Sequence, residues 1–406
     1  MEEWKSDILI NLLDALIDYR GKTPKKKSSG VPLVTAKIIK GGRILPFDEF
    51  IAEEDYDSWM VRGLPQPGDV VLTTEAPLGE VAQLDDTKVA LAQRVVTLRG
   101  KKGILDNTYL KYFLQSDIGQ KRLSARETGT TVTGIKQSEL RKVEISYPDY
   151  DTQCQIGAIL KSLDDKIALN NRINHNLEEQ AQALYKSWFV DFEPFKGGKF
   201  VDSDLGIIPE GWSVQPFLSI AKLCSGGTPK TNQKEYWNGS IPFFTPKDVG
   251  TSAFCLSTEK TITEEGLKNC NSSLYKALTT FITARGTVGK LCMAGVPMAM
   301  NQTNYAICPA SNIDDITLFL ITKQLLTSLK NKANGAVFDA ITTRDFDGEK
   351  LVIAPQRVMD AFSSVVHPIY DCILQNELKN ASLSQLRDSL LPRLISGQLS
   401  INKLDS

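Results

Sequence analysis

Pro148-Asp149 followed by Asp164-Asp165-Lys166 satisfies the loose acid–acid–lysine pattern of metal-dependent nucleases. Such a site gathers its carboxylates around one divalent ion, from neighbouring strands. Here Asp164, Asp165 and Lys166 stand between Leu163 and Ile167, inside an apolar pattern of helical period, and a solvated helix face accounts for them. The two histidines, His175 and His367, lie in similar helical stretches with no metal or nucleophile partner in sequence. No Asn-Pro-Pro-[Phe/Tyr] segment of the kind that holds an extruded adenine is present, so no adenine methyltransferase site is expected. ARGTVGKL lacks the first glycine of a phosphate loop and the hydroxyl after its lysine, so no ATP motor is visible. Seven cysteines (154, 224, 255, 270, 292, 308, 372) never form C-x-x-C, which suggests reduced thiols in a cytoplasm and no zinc site.

Side chains suited to holding a polyanion are easier to find. Residues 20 to 43, RGKTPKKKSSGVPLVTAKIIKGGR, hold eight Lys or Arg and no acid. Lys22, Lys25, Lys26 and Lys37 are candidate phosphate contacts, and a solvated lysine loop is the plainer alternative. The matching stretch, 222 to 247, has four Lys against Glu235; Lys230 and Lys247 are its candidates. Base edges are read best by Arg on guanine and Asn or Gln on adenine. Arg43, Arg62 and Gln93 are therefore candidates in the first half of the chain, and Arg285, Asn301, Gln302 and Arg344 in the second. Gln93 and Gln302 precede strand-like runs, and a structural role in the fold is the alternative reading for both.

The elements that must position these residues occur twice. GKTPK (21 to 25) returns as GGTPK (226 to 230), and VPLVTAK (31 to 37) as IPFFTPK (241 to 247). Gly79 answers to Gly289, Ala92-Gln93 to Asn301-Gln302, TGTTVTGI (128 to 135) to NGAVFDAI (334 to 341), and Pro148 to Pro355. One unit of about 205 residues is duplicated. Its first part shows short apolar runs broken by Gly, Pro and Asp, an α+β pattern.

Its second part steps by four and three: Ile156, Leu160, Leu163, Ile167, then Leu177, Ala181, Leu184, Trp188. Asn170 and Asn174 fill the seam between. The second copy runs Phe362, Val366, Ile369, Ile373, Asn376, Asn380, Leu383, Leu390, Leu394, with Arg387 where the first has Ala181. Two long helices are expected to pack antiparallel, Asn170 facing Asn380 and Asn174 facing Asn376, with two similar heads at the ends of a rod. Pro368 is expected to interrupt or kink the second helix, and Pro194 to end the first. Segments 1–150 and 196–355 are the expected heads; 151–195 and 356–406 are the helices. Glu178, Glu179, Gln182 and Lys186 are expected on the outer face.

At 406 residues, 42% hydrophobic and 23% charged, the composition is that of a soluble globular protein of two or three domains. The formal net charge of −1 means that binding to nucleic acid must rest on local patches. No run is long and apolar enough for a membrane span, and MEEWKSDILI carries no signal-peptide n-region.

The chain resembles the specificity subunits of type I restriction–modification enzymes over nearly its whole length. The likeness is carried by GKTP and GGTP, TARGTVGK, NQTNYAI, GTTVTGIKQSELRKVEISYP, and above all KSWFVDFEPF followed by IPEGW. The resemblance implies two target recognition domains, each reading half of a bipartite DNA sequence, spaced by the helices. It implies docking of two methyltransferase subunits for adenine-N6 methylation, and of restriction subunits that translocate and cut unmodified DNA. No cofactor is expected in this chain; S-adenosylmethionine, ATP and Mg2+ would belong to the partners. A protein-binding scaffold and a metal-dependent nuclease are the other readings.

Overall fold

In a computed structural model the described residues are 4–129, 133–286, 288–332 and 340–401. Parts of the repeated TGTTVTGI and NGAVFDAI stretches, and Thr287 of ARGTVGK, lie outside them. The chain divides into two compact units, residues 1–167 with 382–406, and residues 168–381. Each unit therefore contains a head together with part of both long helices.

The first unit holds a four-stranded antiparallel sheet, ordered Leu13–Asp18, Val95–Gly100, Val70–Thr74, Leu78–Gln83. A three-stranded sheet sets Val31–Val34 between Phe50–Ile51 (antiparallel) and Ala90–Leu91 (parallel). Lys5–Ile8 pairs with Glu144–Tyr147 and closes the head just before the first long helix. Val70, Val71 and Leu72 have no solvent exposure, so the central strand is apolar on both faces and its alternation is lost.

The second unit repeats this plan. Ala221–Ser225, Asn304–Pro309, Thr280–Thr283 and Leu291–Ala294 form the matching antiparallel sheet, and Phe254–Cys255 adds a parallel fifth strand. Trp237–Phe244 lies between Lys260–Ile262 and Ala299–Met300, and Ser213–Pro216 pairs with Lys350–Ile353. Each head also carries a helix with an aspartate at its start. Asp106 accepts the amide of Tyr109 at 2.8 Å before Asn107–Gln115, and Asp314 accepts those of Ile316 and Thr317 before Asp315–Lys332.

The long helices, Tyr150–Phe189 and Gln356–Ile395, have 40 residues each. Pro368 does not interrupt the second, which is helical on both sides of it. A proline in a helix interior costs about 3 kcal/mol. The burial of Phe362, Val366, Tyr370 and Ile373, all at 0% exposure, outweighs that loss. Pro194 does not stop the first helix either. Helix ends at Phe189, and the chain turns through Phe192 in the left-handed region (φ 53°) before Pro194 enters a short 3-10 turn. The turn is held by aromatic packing: Phe189 meets Phe362 at 4.7 Å between ring centres, and Trp212 meets Phe192, Phe195 and Phe189 at 5.4, 5.1 and 5.8 Å. The aromatic run of KSWFVDFEPF and the Trp of IPEGW are thus one cluster, and the second helix supplies its partner ring.

Within the second unit the helices are antiparallel. Asn170 donates to Asn380 at 2.8 Å, and Asn376 donates to Asn174 at 2.9 Å. Asn174 also donates to Glu377, and Asn380 to Asn171, so these two amides both donate and accept. These four asparagines are buried among apolar neighbours, where an unmatched amide would be costly.

Candidate nucleic-acid interface

In each head the repeated sequence tokens come together through matching hydrogen bonds. In the first, Ala92 donates its amide to Val34 at 3.0 Å, which ties the LAQR loop to the strand leading into TAK. Thr23 of GKTP donates to Gln93 Oε1 at 3.2 Å. Ile135, from the TGI stretch, donates its amide to Thr74 at 2.9 Å. The second head makes the same bonds: Asn301 to Phe244 at 3.0 Å, the Thr228 hydroxyl to Gln302 Oε1, and Ile341 to Ala284 at 2.9 Å. Gly226 is required for this closeness, since a Cβ there would lie 2.4 Å from the Met300 carbonyl oxygen. Pro24 and Pro229 are buried while the threonine before each stays exposed.

In the first head the GKTP, TAK and LAQR segments line an open cleft of about 340 Å3 with Thr23, Thr35, Gln93, Lys26, Lys37 and Arg94, together with the carboxylate of Glu49. Thr35 is only 7% exposed and its hydroxyl has no partner among the described groups. Beside that one acid the cleft offers hydroxyls, an amide and cations, the groups that meet phosphate and base edges.

The predicted residues divide by what already occupies them. Lys22 and Lys25 are exposed, and no ion pair of theirs is found among the described residues. Lys26 pairs with Glu49 at 2.7 Å, and Lys37 with Asp48 at 2.5 Å. The hydrogen bond to Asp48 also raises the Lys37 pKa. Those acids lie just beyond the basic stretch in sequence, so the loop is less positive than its own composition suggests. Lys247 stands in the matching 3-10 turn with Glu259 at 4.0 Å, and Lys230 is exposed on GGTP.

Two candidates already spend polar groups on their own head. Arg62 turns back: its Nη1 donates to the carbonyls of Asp18 (3.1 Å) and Arg20 (2.9 Å), bracing the chain that enters GKTP. Asn301 uses its oxygen on its own turn, accepting from Thr303 N, Thr303 Oγ1 and Asn304 Nδ2 at 3.1, 2.8 and 2.6 Å. Adenine reading needs that oxygen as an acceptor. Arg43 flanks the Gly41–Gly42 turn, whose neighbouring cavity reaches Asp164, and is not brought to the Thr23–Gln93 cleft. Arg285 and Arg344 are exposed, and Arg285 bridges backbone to Ala340 beside the second cluster.

The acidic pattern does not assemble an ion site. Asp149 begins the first long helix, accepting from Thr152, and Asp164 lies fifteen residues on, roughly 22 Å at ~1.5 Å per residue. Asp164 instead accepts from Arg387 at 2.7 Å and Tyr112 at 2.7 Å, with Lys111 at 3.4 Å. Burial opposes its ionisation, but the Arg387 and Tyr112 hydrogen bonds prevail and lower its pKa. Asp165 pairs with Lys161 on the helix surface. Sequence reading marked Arg387 as a departure from the repeat without finding this partner. His367 meets Asp314 at 3.0 Å, and His175 an exposed Glu179. Glu178 is also corrected: it faces its own head, 3.6 Å from Lys323.

Comparison with known proteins agrees with this duplicated geometry. The family model "Type I restriction modification DNA specificity domain" matches twice, at residues 17–179 and 209–359, one match per head. The MjaIX specificity subunit of Methanocaldococcus jannaschii is 28% identical over 398 residues, covering 95% of this chain and 91% of that one. The HindI specificity subunit of Haemophilus influenzae is 25% identical over 356 residues, 73% of this chain and 76% of its own. A type I restriction–modification S subunit from M. genitalium has the same fold, with a TM-score of 0.62 at 16% identity, over 97% of this chain and 96% of that one. This chain belongs to the type I restriction–modification DNA specificity family.

Proposed function

We propose that each head reads one half of a bipartite double-stranded DNA target through its own loop cluster. The observation that carries this is the duplicated Thr–Gln hydrogen bond, set among exposed lysines in both heads. With the glutamine oxygen held by the GxTP threonine, its NH2 is oriented toward whatever enters the cleft. Lys22, Lys25 and Lys230 supply phosphate contacts, Lys37 and Lys247 shared ones from the matching turns, and Arg285 and Arg344 reach bases in the second half-site.

In this reading the chain is not itself catalytic and acts in the cytoplasm. It docks two methyltransferase subunits, which bring S-adenosylmethionine for adenine-N6 methylation, and restriction subunits, which bring ATP and Mg2+. The outer helix surface that receives the methyltransferase includes Leu169 and Leu378, each 40% exposed. The test is to co-express this chain with its host's methyltransferase subunit and map N6-methyladenine. A single bipartite motif, methylated on both strands and lost without this chain, is expected. No motif from a soluble, co-purifying pair would favour the scaffold reading.

A further inference from the structure

A duplicated helix creates a pairing ambiguity. The offset of 206 that carries Asn170 onto Asn376 and Asn174 onto Asn380 leaves the asparagine layers alike in both helices. The first helix of one copy, laid antiparallel on the first helix of a second copy, would again set Asn170 against Asn174. The asparagine layers themselves do not distinguish the wrong partner from the right one; beside them the offset carries Asn171 onto Glu377, so Asn174 would exchange Glu377 for Asn171 in the wrong pairing.

We infer that Asp164, Ala181, Tyr370 and Arg387 form a pairing code that directs each long helix to the other helix of its own chain and away from the same helix of a second copy. The same offset carries Asp164 onto Tyr370 and Ala181 onto Arg387, so at these positions the two helices carry residues unlike in charge and size. In the first unit Arg387 Nη1 lies 2.7 Å from Asp164, with side chains 23% and 13% exposed. In the second unit the related positions are Ala181 and Tyr370, both at 0% exposure and in one core cluster. Tyr370 is enclosed there by Phe319 and Phe254, at 5.8 and 6.3 Å between ring centres. Acid meets base in one unit, and a small and a large side chain share one core in the other.

Both wrong pairings lose this complementarity. First helix on first helix sets Asp164 against Ala181 of the second copy; Asp164 keeps Lys111 at 3.4 Å but loses its nearer cation. Second on second sets Arg387 against Tyr370, placing a bulky cation that keeps Asp388 of its own helix but loses Asp164 where an alanine fits. Opposite charges and unlike sizes at a few seam positions are the means by which helix pairs choose partners.

The test uses the full chain, unfolded and refolded at one concentration, with the dimer fraction measured by light scattering. Wild type is expected to return as monomer. Arg387→Ala removes the ion pair and relieves the Tyr370 clash, so its dimer fraction should rise about tenfold or more. Exchange of the first helix onto the second helix of another copy would not give this rise, because it loses the same ion pair as the native arrangement. Ala181→Arg with Arg387→Ala moves the cation onto the first helix and should make the dimer predominant. Equal dimer fractions in wild type and both variants would overturn the code, as would a wild type that already pairs like with like. For a variant that fails to refold, co-expression of two differently tagged full-length copies gives the same comparison: co-capture above wild type supports the code, and its absence overturns it.

Discussion

Thr23 and Gln93 are 70 residues apart, yet one hydroxyl fixes one amide where two loops of the first head meet. That bond makes the role of individual lysines separable. Lys22 and Lys25 have charge to give, so replacing either with alanine should lower the salt slope of DNA binding by about 1 per lost phosphate contact. Lys37 already shares Asp48 and Glu49, and Lys37→Ala should change the slope less. Titration at several salt concentrations checks the order, and a larger effect at Lys37 would contradict it. Asp164 makes a pH prediction. Its folded pKa is depressed, so its contribution is present above the unfolded value near ~3.9 and lost as pH falls through the folded one. Asp164→Asn should cost about 1–3 kcal/mol at neutral pH, discounted for partial exposure, and the difference should fade below about pH 4. Denaturant melts at both pH values would show it, and a constant difference would refute it.

At the scale of elements, the asparagine layers and helix lengths are legible because a seven-residue period survives in sequence however the heads are built. The duplication is legible because the same tokens recur in the same order. Other features are not, and the reasons are local. Pro194 and Pro368 look like breakers, but Phe192 turns the chain first, and burial carries the second helix through its proline. Glu178 looks solvent-facing from the seam, yet the head packs over that flank of the helix and brings Lys323 to it. Lys26 and Lys37 look free because their acids come from a neighbouring strand-bearing segment. Replacing Asn170 alone with alanine should strand its partners and cost about 1–3 kcal/mol. Leucine at both 170 and 380 should cost less than the two single changes summed, because no half-satisfied amide remains. A double-mutant cycle measures that coupling, and additivity would exclude it.

For the whole molecule, the heads share strand order, loop tethers and the Thr–Gln bond, but not their surface charge. The first surrounds its cleft with lysines; the second carries fewer and offers Thr231, Asn232 and Gln233 after GGTPK. A shared scaffold with unlike rims suits two readers of unlike half-sites, and no tertiary change is needed to alter one alone. The most direct test of that claim is the N6-methyladenine map made with Gln302→Ala in place of the wild-type chain, in the presence of the methyltransferase subunit. The account predicts a bipartite motif in which only one half is relaxed and the other half and the spacing are kept. Relaxation of both halves, or a motif identical to wild type, would contradict it.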